Sequence, residues 1–510
     1  MSIPVERLFA TTSFGHRDVI GMSWPGPMVC SEVYFMKDIA MRNLNALMIA
    51  AALAGVAAAQ AQTPVMVTTT DNAGEGSLRA AVNEASQSDN ASQIVIAASG
   101  DIVIDQSLIY TGEAPLQIIG NGQRVRSDAN TDLLVSANGG DLAISDLAFE
   151  GPGGFSVLNR GDVNGQTAGK GIFLDVREDQ TGTVELALRN VSVKGVANHG
   201  IHVSDCTLAD DCGGGAGGAG AGSPASLYIK LNNVRVDGVG NGKFDADGLR
   251  ADERGVGDID LSVSGSEFAR VGADGLELDE GQAGSIHSTV VESAFIDNGP
   301  YCDPDILAEY MPAIPEDSFE DGARQASEIP QAVTGTPDDK CFEREVSFHE
   351  SGSVEEYEFG LDLDDGIDYD EADSGDLNLT MVASTVSGNH DEGVDMDEAG
   401  PGDGNLRYVD TLAYGNADDG FKMSEEDAGG IDGAADGSVS RDNGGVGMVF
   451  EEASVGDLMV QTSNMHTINN DDGDDTGLEI VQEGTGMGQL SLIDSQIDDG
   501  MQVEGTSLSR

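Results

Sequence analysis

The feature that most constrains this chain is a short phrase that returns every 27 residues. Asp247-Gly248-Leu249-Arg250-Ala251-Asp252-Glu253 is echoed by Asp274-Gly275-Leu276-Glu277-Leu278-Asp279-Glu280. Further copies follow Gly366, Gly393, Gly420 and Gly447, looser ones follow Gly477 and Gly500, and "HGIHVSD" at Gly200 is an earlier member. A fixed period of this size means stacked structural units. After each glycine apolar residues alternate, as in Leu276/Leu278, Ile367/Tyr369, Val394/Met396, Phe421/Met423 and Met448/Phe450. That spacing gives a short strand with one face in and one face out. A second alternating strand follows in most units (Leu377/Leu379/Met381), then a third short apolar element such as "STVSGN". Several short strands per unit, with no room for a helix, predict a coil of parallel sheets, an all-β solenoid of the β-helix kind. The 69 glycines fit the many turns such a coil needs.

Two units are interrupted. The step from Gly275 to Gly366 is 64 residues longer than one period, which places an insertion at about 299–357. A Gly/Ala-rich run places another at about 205–226. Residues 36–61 read as a signal peptide: a basic start (Lys37, Arg42), an apolar stretch from Leu44 to Ala58, and Ala59-Gln60-Ala61 as the cleavage motif. The apolar stretch is too short for a membrane span, and none is expected after its removal. Met36 and Met41 both serve as starts on this reading, and residues 1–35 are an extended or over-long N-terminus. The expected location is secreted or periplasmic. An oxidising compartment lets cysteines bridge, and proximity pairs Cys206 with Cys212 and Cys302 with Cys341.

The segment 62–150 reads as an N-terminal cap and first coils, and 151–510 as the solenoid proper. Ser77 suits a helix N-cap, and Leu78, Ala81, Val82 and Ala85 share one helical face that could close the open end of the coil. The stretch from Val67 to Ile104, with Asp71, Gly74, Gly76-Ser77-Leu78-Arg79 and Ala81-Val82, resembles the N-terminal cap of secreted bacterial right-handed parallel β-helix proteins. That resemblance implies a right-handed parallel β-helix of the pectin-lyase-like fold with an N-terminal capping helix. The fold hosts lyases, hydrolases, epimerases, adhesins and inert scaffolds, so it does not name a function.

Charge narrows the partners. The net charge is −65, from 25 basic and 90 acidic side chains. Nucleic acids and anionic membrane surfaces would be repelled, and metal cations attracted. Aligning the copies places acids in columns. One precedes the strand (Asp247, Asp274, Asp365, Glu392, Asp419). One faces outward within it (Arg250, Glu277, Asp368, Asp395, Lys422). One follows it (Asp252/Glu253, Asp279/Glu280, Asp370/Glu371, Asp397/Glu398). Neighbouring strands lie about 4.8 Å apart, so stacked carboxylates repel unless something offsets them. Calcium is one answer, a hard cation that takes several oxygens in flexible geometry; screening by salt is the other. Asp365, Asp368, Asp370, Asp395, Asp397, Asp418 and Asp419 are the candidate metal ligands. No complete calcium-loop signature is present: "KFDADG" (Lys243–Gly248) has Lys243 where the first acid of an EF-hand belongs.

The favoured reading is therefore a secreted, acidic, calcium-binding β-helix with a structural, surface or adhesive role. The alternative is a calcium-dependent polysaccharide lyase or other glycan-active enzyme, with extracellular polysaccharide as partner. "NADDGFKM" (Asn416–Met423) is similar to an Asp-Asp-Gly-Phe rung of calcium-dependent pectate lyases. The resemblance implies Asp418 and Asp419 as calcium ligands and Lys422 as the base that removes a proton alpha to a uronate carboxyl. The plainer reading of Lys422 is charge relief beside Asp395. His199 and His202 are expected at turn and surface positions. Against sugar chemistry, the only tryptophan, Trp24, lies in the leader, and basic residues after Glu345 are Arg407, Lys422, Arg441 and Arg510 alone.

Overall fold

In the computed structural model, residues 63–206, 221–302, 341, 345–348, 354–358, 363–470 and 476–509 are described. Most coils contribute three short strands, and among the described residues every pairing between coils is parallel, with register shifts only at Ile119/Gln123 and Thr476/Leu478. In the first-strand sheet, Leu249 pairs with Leu276, Leu276 with Ile367, and Ile367 with Val394. Twelve strands stack in this sheet, from Leu108–Tyr110 to Gly500–Glu504. The second and third strands form two further faces. Long bent strands such as Leu116–Ser127 and Gly182–Lys194 carry the chain around the corner and merge these faces into one 23-stranded sheet.

The direct pairing of Leu276 with Ile367 shows how the long step is absorbed: the coil closes as if the intervening residues were absent. Within that insertion Glu345–Phe348 and Val354–Glu358 form an antiparallel hairpin, and Cys302 and Cys341 are joined by a disulfide with Cα atoms 5.4 Å apart. Cys206 is also disulfide-bonded; Cys212, the partner expected for it, lies outside the described residues. At the end of the Gly/Ala-rich run, Ala225–Asn232 is a strand paired with Gly182–Arg189, and Asp205 pins the root of that run by accepting the N–H groups of Ser223 (2.5 Å) and Arg254 (2.8 Å).

The alternation in the sequence builds the interior. Leu276, Leu278, Ile367, Tyr369, Val394 and Met396 are all fully buried. Phe268 and Phe295 stack across coils with centroids 5.4 Å apart. In the first strand of the Gly420 coil only Ser424–Glu425 keep strand pairing, yet Phe421 and Met423 stay inside and the Lys422 N–H still donates to the Val394 carbonyl at 2.8 Å. An asparagine ladder lines one turn: Asn298, Asn389, Asn416, Asn443 and Asn470 are each at most 2% exposed. Each side-chain amide donates to the next Oδ1, at 3.1, 2.9, 3.0 and 2.8 Å. The first four amides of the ladder thus have a partner supplied by the repeat itself, and Asn470 ends it on Asp499 at 2.9 Å.

The cap forms as its residues dictate. Helix α1 (Leu78–Ala85) buries Leu78, Ala81, Val82 and Ala85, and the Ser77 hydroxyl accepts the Ala80 N–H at 3.2 Å. Arg79 ties the helix to the first coil by donating to the carbonyls of Ser107 and Gln106, both at 2.7 Å.

Candidate functional site

The first-strand sheet carries the acids, and its register brings the predicted columns together: Glu277 beside Asp368 beside Asp395, and Asp279 beside Asp370 beside Asp397. The column before the strand has a structural task. Asp247, Asp274, Asp365 and Asp419 each accept a main-chain N–H from the next coil, those of Asp274 (3.2 Å), Asp365 (2.5 Å), Glu392 (2.6 Å) and Val446 (2.5 Å) respectively. One oxygen of each is thereby committed to holding coil to coil.

Two basic side chains divide the outward columns. Arg250, only 5% exposed, donates to Asp252 (2.7 Å), Glu277 (2.6 Å), Asp279 (2.5 Å) and Asp245 (3.1 Å). Its guanidinium fills the space among Asp245, Asp247 and Glu277, whose carboxylates would otherwise converge as a metal triad. Lys422 reaches Asp395 at 2.7 Å and Glu392 at 3.2 Å. Burial alone would pull the Lys422 pKa down; Asp395, Glu392 and Asp397 more than reverse this, and the net shift is upward. The ammonium is held protonated, which suits a counter-ion and opposes use as a general base near neutral pH.

Between these cations lies a stretch where acids face acids. Asp365, Asp391 and Glu392 offer carboxylate oxygens within 4.8 Å of one another. Partly exposed Asp368 and buried Asp370 continue the group. Burial, then the neighbouring Glu392 and Asp274, push Asp365 well above the usual carboxylate range. Burial and Asp370 do the same to Asp368, and burial and Asp279 to Asp370. Burial and Glu392 raise Asp391 to about 9; burial and Asp395 raise Asp397 to about 7. Such a group holds protons at neutral pH or takes a cation. The donor set is all oxygen, which suits calcium. Of the predicted ligands, Asp365, Asp368, Asp370, Asp395 and Asp397 share this face. Asp418 is exposed at its edge, and Asp419, raised to about 8 by burial and Asp418, is half-buried.

Two expectations need correction. His199 and His202 are not surface residues; they are 1% and 0% exposed. Their turn folds under Lys170, whose ammonium lies 2.6 Å from His202 Nδ1, while His202 Nε2 lies 2.8 Å from Asp252. His199 Nδ1 accepts the Asp247 N–H at 3.0 Å, so that ring nitrogen carries no proton. The second correction concerns the column after the strand, which is two columns. Alternation carries Asp252, Asp279, Asp370 and Asp397 outward and turns Glu253, Glu280, Glu371 and Glu398 inward, where each is at most 1% exposed. Extending the period-2 pattern by two residues would have found this; the habit of placing acids outside hid it.

A groove of about 750 Å³ lies on a different face, lined by Asp403, Asn405, Asp432, Asp457 and Met459. No helix among the described residues is long and apolar enough to cross a membrane.

Replacing Arg250 by methionine should cost about 3–5 kcal/mol, because it leaves buried Glu277 without its cation and buried Asp252 and Asp279 with only His202 and Arg254 beside them. Replacing the half-exposed Arg235, which pairs with Glu267, should stay within about 1 kcal/mol. Urea unfolding of the two variants beside the parent checks the contrast; equal losses would mean that Arg250 is not the centre of its cluster.

Comparison with solved structures finds distant matches. ORF18 of Geobacillus virus E2 aligns over 83% of this chain at 9% identity with a TM-score of 0.37, and the chain spans 60% of that protein. The periplasmic alginate epimerase AlgG aligns over 82% of this chain and 78% of its own at 11% identity, TM-score 0.35. A polygalacturonase from Erwinia carotovora ssp. carotovora aligns over 89% and 100% at 10% identity, TM-score 0.28. The sequence matches no protein-family model and no curated protein. The chain is a right-handed parallel β-helix, closed at its N-terminal end by a helix.

Proposed function

We propose that this β-helix is an exported, cation-binding scaffold, acting in the periplasm or outside the cell. On this reading its first-strand face takes calcium between Arg250 and Lys422, at Asp365, Asp368, Asp370 and Asp391 with Glu392, Asp395 and Asp397 at the border. The supporting observation is the stretch of acids itself: these carboxylates face one another while, among the described residues, the basic groups that flank them, Arg250, Arg254 and Lys422, are engaged at its two ends. A divalent ion there would replace mutual repulsion by shared coordination. It would stiffen the face that a surface or adhesive protein presents, and could bridge to an acidic extracellular polysaccharide that the bare protein would repel.

The glycan-active alternative gives Lys422 the role of base with Asp418 and Asp419 as calcium ligands. The carboxylates around Lys422 work against that role, so the scaffold reading is preferred. A screen for unsaturated products on pectate and alginate decides between them; product formed by the parent and lost in Lys422→Met would favour the lyase.

The cation claim is tested by stripping the protein with chelator and titrating calcium while following heat and melting temperature. Saturation at 100 times the dissociation constant should add about 2.7 kcal/mol. The triple variant Asp365→Asn/Asp368→Asn/Asp391→Asn should lose part of that gain. No change in melting temperature at millimolar calcium sinks the proposal.

A further inference from the structure

The inward glutamates form a feature that the outer face does not explain. Glu253, Glu280, Glu371, Glu398, Glu425 and Glu452 stack in register, one per coil, each at most 1% exposed. Each is followed four residues later by a glycine: Gly257, Gly284, Gly375, Gly402, Gly429 and Gly456. The glycines also stack, and the reason is geometric. A methyl group on Gly375 would fall 1.5 Å from the Gly284 carbonyl oxygen and 2.2 Å from Glu371 Oε1. On Gly402 it would fall 1.6 Å from the Gly375 oxygen and 2.7 Å from Glu398 Oε1, and on Gly456 1.4 Å from the Gly429 oxygen and 2.5 Å from Glu452 Oε2. From Gly284 to Gly456, a main-chain carbonyl and a carboxylate oxygen therefore converge on the same small space at each of these five glycines.

Both partners in that contact are acceptors. Main-chain N–H groups reach only some of the carboxylates: Gln282 and Gly284 donate to Glu280 at 3.2 and 3.1 Å, and Ser454 to Glu452 at 3.1 Å. In Glu371 and Glu425, fully buried, both carboxylate oxygens lack a hydrogen-bond donor, and Glu398 is approached only by the Gly400 N–H. Consecutive glutamates also bring carboxyl groups within hydrogen-bonding reach of each other. A buried carboxylate without partners costs several kcal/mol. One shared proton per coil would relieve the carboxyl–carboxyl contact and leave the glycine carbonyl facing the other oxygen. A divalent ion between coils would be met by both.

We propose that the repeated Glu-x-x-x-Gly turn is a second, internal cation site, a line of calcium ions held between successive coils by the glutamate carboxylates and the glycine carbonyls. It is separate from the outer site in residues and in face, and either can fail without the other.

The test counts calcium on chelator-stripped, full-length protein by equilibrium dialysis against calcium chloride and atomic emission. The outer triple variant Asp365→Asn/Asp368→Asn/Asp391→Asn should keep its internal ions, on the order of one per pair of glutamates. Glu398→Gln, which preserves shape, should hold fewer ions than the parent and lose part of the calcium-dependent rise in melting temperature. An outer variant that binds no calcium overturns the internal site, whether or not Glu398→Gln folds. So does a folded Glu398→Gln protein with the parent's full count. An outer variant that keeps the parent's full count and its full melting shift instead defeats the outer site and leaves the internal one standing.

Discussion

Gly402→Ala should be among the most damaging single substitutions in this protein, although it adds one methyl group. Gly402 has an ordinary negative φ, so backbone strain plays no part. The damage comes from contact: the new carbon would fall 1.6 Å from the Gly375 carbonyl oxygen. Backbone cannot move aside as a flexible side chain can, so the two coils must separate where the Glu398 carboxylate is buried. Overpacking of this kind, with a buried charge exposed as well, should cost more than about 3 kcal/mol. Gly415→Ala is the control. Gly415 has φ +66 and open space around it, so alanine there bears only the left-handed backbone cost, about 1 kcal/mol. Urea unfolding of both variants decides. A Gly402→Ala protein within about 1 kcal/mol of its parent would show that the turns have slack and that the Glu-x-x-x-Gly contact is not tight.

The second large effect is on pH. In the metal-free protein, burial is the first cause that raises Glu280 to about 7, Glu371 and Glu398 to about 8 and Glu425 to about 9. Unfolded glutamate titrates near 4.3. The folded form therefore binds more protons than the unfolded form between these limits. Its stability from these groups is fully present below about pH 4 and is lost as pH rises through 7 to 9. Chelated protein should melt about 10 °C lower at pH 9 than at pH 5. Saturating calcium should flatten that slope, because bound cations take over from protons. Asp252 works in the opposite sense: burial opposes its ionisation, but Arg250 and His202 prevail and lower its pKa. Its contribution is lost only in strong acid. A chelated protein whose melting temperature is level from pH 5 to pH 9 would falsify the view that these carboxylates are buried without compensation.

Much of this architecture was legible in the residues. The period, the alternation Leu276/Leu278 and Ile367/Tyr369, and the face of Leu78, Ala81, Val82 and Ala85 are local signals, and local signals survive without a structure. The Cys302–Cys341 bridge followed from proximity. What escaped were relations between coils. Nothing near Asp365 in sequence says that its carboxylate holds the Glu392 N–H, 27 residues on. The asparagine ladder was visible as a repeated letter in "SGN" and "YGN", yet its meaning depends on stacking. Glu371 and Glu398 share one column with Asp370 and Asp397 in the sequence, and only the alternation carried on by the coil separates them into an inward and an outward set. His202 was misjudged for a similar reason, since its partners Lys170 and Asp252 come from other coils.

The central claim is that ordered cations, rather than salt alone, balance the acids of this β-helix. Crystals grown in calcium and measured at a long wavelength, where calcium scatters anomalously, test it most directly. The account predicts anomalous peaks beside Asp365, Asp368 and Asp391, with carboxylate oxygens at about 2.3–2.6 Å. Carboxylates there that face only water and one another, with no anomalous signal at saturating calcium, would contradict it.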